Sequence, residues 1–209
     1  MKDIMKISVC VIIYEIFAIL LMLFVKNIIV LDKNLFLLIN RISNPYLDSF
    51  FICITFFGSS IFWIFMIFLT WFKHDSKASA YLIYVFILDT ISLFALKWLF
   101  LRPRPFEAFE SLKFKDPEID MGPSFPSGHS QRAFSGAIVL GKMYKKFRII
   151  FMILAFLATF SRIYNGMHYP LDTLVGAING IIIGSLSTTL PIKKFQNKLD
   201  KYRKLIFKN

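Results

Sequence analysis

Six stretches of this chain are apolar over lengths near the roughly 20 residues that carry a helix across a bilayer, which excludes most soluble folds. They are Ile7–Val25, Leu47–Phe72, Ala78–Leu101, Ser127–Tyr144, Phe147–Tyr164 and Pro170–Pro191. At 56% hydrophobic residues, with 25 Phe among 209 residues, there is more apolar surface than one soluble core can hide. The expectation is an all-α integral membrane bundle of six transmembrane helices. Lys2 and Lys6 precede the first run as they would in a secretory signal. Its apolar part is longer than a signal's h-region and no small-residue cleavage site follows, so it reads as an uncleaved helix.

The connections are short, with two exceptions. Leu35–Ile42 is amphipathic and suits the membrane interface. Arg102–Pro126 contains five prolines and cannot be a continuous helix, so a structured extracytoplasmic loop, or a lid over 106–122, is expected between helices 3 and 4. No repeat or second soluble domain is visible. Residues 1–209 read as one domain, with 192–209 a basic tail.

Positive charge orients the bundle. Six spans put both termini on one side, and fifteen of the 25 Lys and Arg fall there, seven of them after Pro191. By the bias of Lys and Arg toward cytoplasmic loops, the termini are expected in the cytoplasm and the polar clusters on the outer face of the plasma membrane. The net charge of +12 is then accounted for by a tail lying beside an anionic leaflet, and no nucleic-acid partner is expected. Cys10 and Cys53 lie inside spans and read as packing residues.

Three polar clusters sit at the ends of apolar runs. The first, Lys97-Trp-Leu-Phe-Leu-Arg102-Pro-Arg104-Pro105, offers a compact ammonium and two guanidinium groups beside backbone-fixing prolines. The planar fork of arginine suits phosphate oxygens, although a lysine there can also be a snorkelling anchor, and sequence does not divide the roles of Arg102 and Arg104. The second, Pro126-Ser127-Gly128-His129, leads into a helix whose first N–H groups make an anion site. Ser127 doubles as an N-cap, and His129 in the first turn is a candidate general acid.

The third cluster, Ser161-Arg162-x5-His168-x3-Asp172, places His168 and Asp172 four apart with Pro170 between them. If the helix begins by Tyr169 they share a face. The carboxylate then fixes one imidazole tautomer and leaves the other nitrogen as a nucleophile. Such a pair also serves behind a metal ligand. With only three histidines, and His74 on the other side, no metal or other cofactor is expected. Glu15 and Asp89 lie well inside spans, where they read as substrate-path lining, a partner for Lys97, or hydrogen-bonded interhelical acids. Arg132 reads as either a headgroup contact or an interface anchor. Glu107 and Glu110 are taken as solvent-exposed.

These clusters, in this order, resemble the signature of the type 2 phosphatidic acid phosphatase family: Lys-x6-Arg-Pro, Pro-Ser-Gly-His and Ser-Arg-x5-His-x3-Asp. Every position matches within residues 97–172. The resemblance implies metal-independent phosphoryl transfer through a phosphohistidine, with His168 as nucleophile, Asp172 orienting it and His129 protonating the leaving oxygen. Lys97, Arg104, Ser127, Gly128 and Arg162 would hold the phosphate oxygens. The implied substrate is a lipid phosphate or diphosphate, with undecaprenyl diphosphate leading and phosphatidylglycerol phosphate or phosphatidic acid as alternatives. A lipid-to-lipid phosphotransferase and a silent lipid-binding protein are the remaining readings, and the oligomeric state is left open.

Overall fold

Helix boundaries in this protein follow its caps. The computed structural model describes Ile16, Leu20 and residues 26–109, 115 and 122–207. The expected first span Ile7–Val25, apart from helical Ile16 and Leu20, lies outside the described residues, as do Cys10, Glu15, Glu110 and most of the expected lid. All regular structure among the described residues is helical: α1 (Lys26–Arg41), α2 (Pro45–Thr55), α3 (Ser60–Phe72), α4 (Ser76–Phe100), α5 (Pro105–Ala108), α6 (Gly128–Met143), α7 (Arg148–Tyr164), α8 (Pro170–Ser187) and α9 (Lys193–Ile206), with 3-10 turns at Phe56–Gly58 and Lys145–Phe147.

The expected span Leu47–Phe72 is broken. Helices α2 and α3 meet at 55° across the 3-10 turn. Ser59 starts α3 afresh, its Oγ accepting the Phe62 N–H at 3.1 Å. Gly58 lies against His129, where a Cβ would come within 2.9 Å of that residue, so the break is where the chain yields to α6. Among the described residues, three helical segments are long and apolar enough to cross a membrane alone (Ser76–Ala108, Lys145–Tyr164 and Pro170–Ser187), and the bent α2–α3 pair makes a fourth. The expected Ser127–Tyr144 span does not qualify on those grounds: α6 is 16 residues with a polar inner face, and it is surrounded by protein instead of lipid.

Helix α6 is the hub, packed against α8, α7 and α4. Its approach to α8 depends on Gly176, Gly180 and Gly184, one per turn of α8. A Cβ at Gly180 would lie 2.2 Å from the Gln131 carbonyl oxygen, and one at Gly176 would lie 2.5 Å from that of Ser127. Small-residue stripes of this kind bring helix backbones together in membranes. Outward faces are apolar: Ile61, Phe65, Phe68 and Phe72 on α3 and Ile87, Ile91, Phe94 and Trp98 on α4 are exposed at helical spacing and face lipid. This is an integral membrane protein.

One further expectation changes. Leu35–Ile42 is not a separate interfacial segment but the end of α1, because Asp32, Phe36 and Asn40 recur every fourth residue and turn inward. Asn40 Nδ2 donates to the Tyr164 carbonyl at 3.2 Å, and Phe36 packs edge-on against Tyr169. The basic tail folds as helix α9, with its described lysines exposed and contacts to the bundle along one side. Trp71 Nε1 donates to the Leu199 carbonyl at 3.3 Å, and Ser76 Oγ donates to Asp200 at 2.6 Å.

Candidate active site

Three chain reversals at one end of the bundle build the site. After α4, Leu101 adopts a left-handed conformation (φ 45°) and the chain turns into Arg102-Pro103-Arg104-Pro105. The Arg102 carbonyl accepts the Ser124 N–H at 2.7 Å, joining the first cluster to the second. Ser127 then caps α6, its Oγ accepting the Ser130 N–H at 3.4 Å, while its own N–H donates to the Asp172 carbonyl at 3.0 Å. Following α7, Gly166 at φ 87° reverses the chain, and the N–H groups of Met167 and His168 both donate to the Arg162 carbonyl, at 3.0 and 3.2 Å. Only glycine takes that φ without strain. Pro170 opens α8, and Asp172 Oδ2 accepts the Tyr169 N–H at 3.0 Å.

His168 is at the centre, buried with Asp172, Arg104, Arg162 and Ser127. Its Nε2 lies 3.4 Å from Arg104 Nη1. On the other edge, Nδ1 lies 3.7 Å from Asp172 Oδ2, beyond hydrogen-bond length. Ser124 fills that gap: its Oγ is 3.3 Å from His168 Nδ1 and donates to Asp172 Oδ2 at 2.6 Å. The imidazole is therefore oriented through a hydroxyl, Nδ1–H to Ser124 to carboxylate, which leaves the Nε2 lone pair on the side of Arg104.

The arginines divide the work. Arg104 is fixed by donating from Nε to the Gly122 carbonyl at 2.7 Å and from Nη1 to the Met167 carbonyl at 3.3 Å. Arg102 turns the other way, joining Asp172 Oδ1 at 2.5 Å and Asp32 Oδ2 at 2.6 Å while stacking over the Tyr169 ring at 4.1 Å. Asp32 Oδ1 in turn accepts the Leu171 N–H at 2.7 Å, so α1 braces the start of α8. Burial pushes the Asp32 carboxyl above the ordinary carboxylate range, although Arg102 draws it back. Arg162 donates from Nη1 to Thr55 Oγ1 at 2.7 Å, beside the break in the second span.

His129 sits half-buried at the start of α6, under Gly58 and within electrostatic reach of Arg162, Arg132, His168 and Arg104. Lys97 is half-buried, and its Nζ donates to the Pro123 carbonyl, which anchors it to the turn before α6. Asp89 and Gln131 meet deeper in the bundle, where Gln131 Nε2 donates to Asp89 Oδ1 at 3.0 Å, and Asn179 Nδ2 donates to Gln131 Oε1 at 2.8 Å. Of the alternatives for Asp89, the interhelical hydrogen-bonded acid describes it. In the loop, Lys115 donates to the Ile42 carbonyl at 2.7 Å and lies over the Tyr164 ring at 3.6 Å. Among the described residues no group of three His, Cys, Asp or Glu converges as a metal cradle.

The sequence expectation named eight residues, and the fold gathers the ends of their helices at one place. It did not name Ser124, Asp32 or Thr55. Ser124 lies two residues before the second cluster, without a spacing rule to single it out. The inward stripe Asp32, Phe36, Asn40 was a signal for Asp32, whereas nothing in the sequence marks Thr55.

Comparison with known proteins identifies the family and the fold. The family model described as the PAP2 superfamily matches residues 78–196. An undecaprenyl-diphosphatase of Sulfolobus acidocaldarius is 30% identical over 174 residues, covering 80% of this chain and 84% of that protein. The crystal structure of Aquifex aeolicus LpxE superimposes with a TM-score of 0.70 at 35% identity, covering 77% of this chain and 96% of that one. The crystal structure of a transmembrane PAP2-type phosphatidylglycerolphosphate phosphatase from Bacillus subtilis has the same fold, with a TM-score of 0.70 at 24% identity over 90% of this chain and 96% of its own.

Proposed function

This chain belongs to the PAP2 superfamily, and on that premise we propose that it is a lipid phosphatase whose phosphoryl transfer passes through His168. The observation that carries the reading is the two-sided hold on the imidazole, with Ser124 and Asp172 at Nδ1 and Arg104 at Nε2. Nε2 attacks phosphorus as the bond to the leaving oxygen breaks, the electron pair leaves with that oxygen, and His129 supplies its proton. In the second half-reaction His129 takes a proton from water, the water oxygen bonds to phosphorus, and the N–P bond breaks with its pair returning to Nε2. Lys97, Arg104, Arg162, Ser127 and the Gly128 N–H hold the phosphate oxygens and stabilise the charge of the trigonal-bipyramidal state without calling on a metal ion.

A lipid substrate suits the position of the site at a helix-bundle end. Between α3, α6 and α7 an apolar cavity of about 150 Å³ is lined by Phe57, Met66, Ala133, Ala137, Phe151 and Ala155. Ala133 is one turn from His129, so a hydrocarbon chain entering there stays attached to a phosphate at the site. The name of the Sulfolobus relative favours a polyprenyl diphosphate, with undecaprenyl diphosphate as the leading candidate. The bias of Lys and Arg toward the terminal side supports a site on the outer face with both termini cytoplasmic.

The test is phosphate release by purified full-length protein from undecaprenyl diphosphate, phosphatidylglycerol phosphate and phosphatidic acid in EDTA. His168→Ala is run in parallel, with acid-quenched detection of labelled phosphoenzyme. Release that persists in EDTA and vanishes with the phosphoenzyme in His168→Ala is expected. Dependence on added metal, or full activity in the variant, would overturn the mechanism.

A further inference from the structure

One cation at the site has no role in the chemistry above. Arg132 lies three residues after His129 on α6, and helical side chains lean toward the helix N-terminus. The guanidinium consequently reaches back over the anion-binding turn: a Cβ on Gly128 would lie 3.3 Å from Arg132 Nη1 and 3.6 Å from Nη2. The same point is 3.3 Å from Leu93 Cδ1 of α4. Lys97 is one turn beyond Leu93 toward the mouth, and Asp89 is one turn below it. Lys97 and Arg132 thus border one seam between α4 and α6, with the Ser127–His129 turn beside them and Arg132 at its inner end.

An arginine at this depth needs support. Asp89 and Arg132 line a common small cavity beside Trp63. The Asp89 carboxyl is tied to α6 by Gln131 and by the Ser135 hydroxyl, which fixes it within electrostatic reach of the guanidinium. Intramembrane ionisable residues are costly and mark functional positions. Arg132 is only half-buried, and its planar fork matches phosphate oxygens.

The chemistry of the leaving group says what such a fork is for. When a phosphate monoester is split, the leaving oxygen belongs to an alcohol and its main need is the proton from His129. When a diphosphate is split at its outer phosphorus, the bridging P–O bond breaks with its electron pair going to the bridging oxygen. The departing lipid monophosphate keeps extra negative charge on the tail side of the reacting phosphorus, which is the inner side here. Building on the phosphatase reading, we propose that Arg132 binds the tail-proximal phosphate of a lipid diphosphate and sets a preference for diphosphates over monophosphate esters.

The experiment compares kcat/KM for farnesyl diphosphate and farnesyl monophosphate in detergent micelles, using purified full-length wild type, Arg132→Gln and Arg132→Lys. Wild type is expected to favour the diphosphate. In Arg132→Gln the diphosphate-to-monophosphate ratio falls roughly 10- to 100-fold, the range for losing a charge-assisted hydrogen bond. Arg132→Lys keeps a charge beside Asp89 but loses the fork, so its ratio falls by less, and it reads the same quantity if the glutamine variant does not fold. Equal losses on both substrates, or an unchanged ratio in both variants, overturn the assignment and leave Arg132 a structural partner of Asp89. Failure of wild type to release phosphate from either substrate overturns the phosphatase reading itself, together with this proposal.

Discussion

Removing a single oxygen atom, in Ser124→Ala, interrogates the orienting path to His168. The wild-type distances are 3.3 Å from His168 Nδ1 to Ser124 Oγ, 2.6 Å from that oxygen to Asp172 Oδ2, and 3.7 Å from Nδ1 directly to Asp172. Asp172 cannot swing in to close the gap, because Arg102 holds Oδ1 and the Tyr169 N–H holds Oδ2. The imidazole therefore loses a link to a charged acceptor, worth about 1.5–3 kcal/mol. If that link is made fully in the transition state, kcat for phosphoenzyme formation drops roughly 10- to 150-fold. The assay is single-turnover labelling with a radioactive lipid phosphate, run beside thermal unfolding so that a stability loss is not read as chemistry. A cycle with Asp172→Asn sharpens it: if the carboxylate acts through the hydroxyl, the double variant is no slower than the worse single variant. Rates within threefold of wild type in Ser124→Ala, or losses that multiply in the double variant, would refute the relay.

The remaining predictions concern the scaffold around this path. Arg102→Leu leaves two buried carboxylates without their shared cation and is expected to destabilise the protein by about 3–5 kcal/mol, with Asp32→Asn in the same chain restoring part of it; thermal unfolding in detergent reads both, and no recovery would mean that Asp32 is not the charge at fault. Gly180→Ala drives a methyl into the Gln131 carbonyl and is expected to cost about 1–3 kcal/mol of stability while lowering activity through the displaced start of α6. Gly58→Ala presses instead on His129 and is expected to slow phosphoenzyme breakdown more than it lowers the unfolding temperature; equal behaviour to wild type would place His129 away from the break.

Much of the helical plan was legible because bilayer length and apolar runs are tightly linked. The spans ending at Leu101 and Tyr164 reappear within two residues as α4 and α7, and Pro170 opens α8 as expected. The PAP2 resemblance drawn from three clusters is borne out by the family match. What the apolar runs could not show was the interruption in the second span, since Gly58, Ser59 and Ser60 fall inside a run long enough to be taken as one helix, and the break lies where α6 presses on the chain. Nor could they show that α6 is shielded by neighbouring helices, which lets 16 residues with Ser130, Gln131 and Ser135 on the buried face occupy the centre of the bundle. Within the site, the split between Arg102 and Arg104 was invisible because prolines flank both. It emerges from Asp32, whose partner is 70 residues away along the chain.

That separation also has a meaning in time. Arg102 emerges 70 residues after Asp32 and 70 residues before Asp172, and Ser124 precedes Asp172 by 48. During synthesis the acid on α1 and the arginine after α4 are made before the second carboxylate that completes their bridge. The charged end of the bundle can close only after α8 has been made.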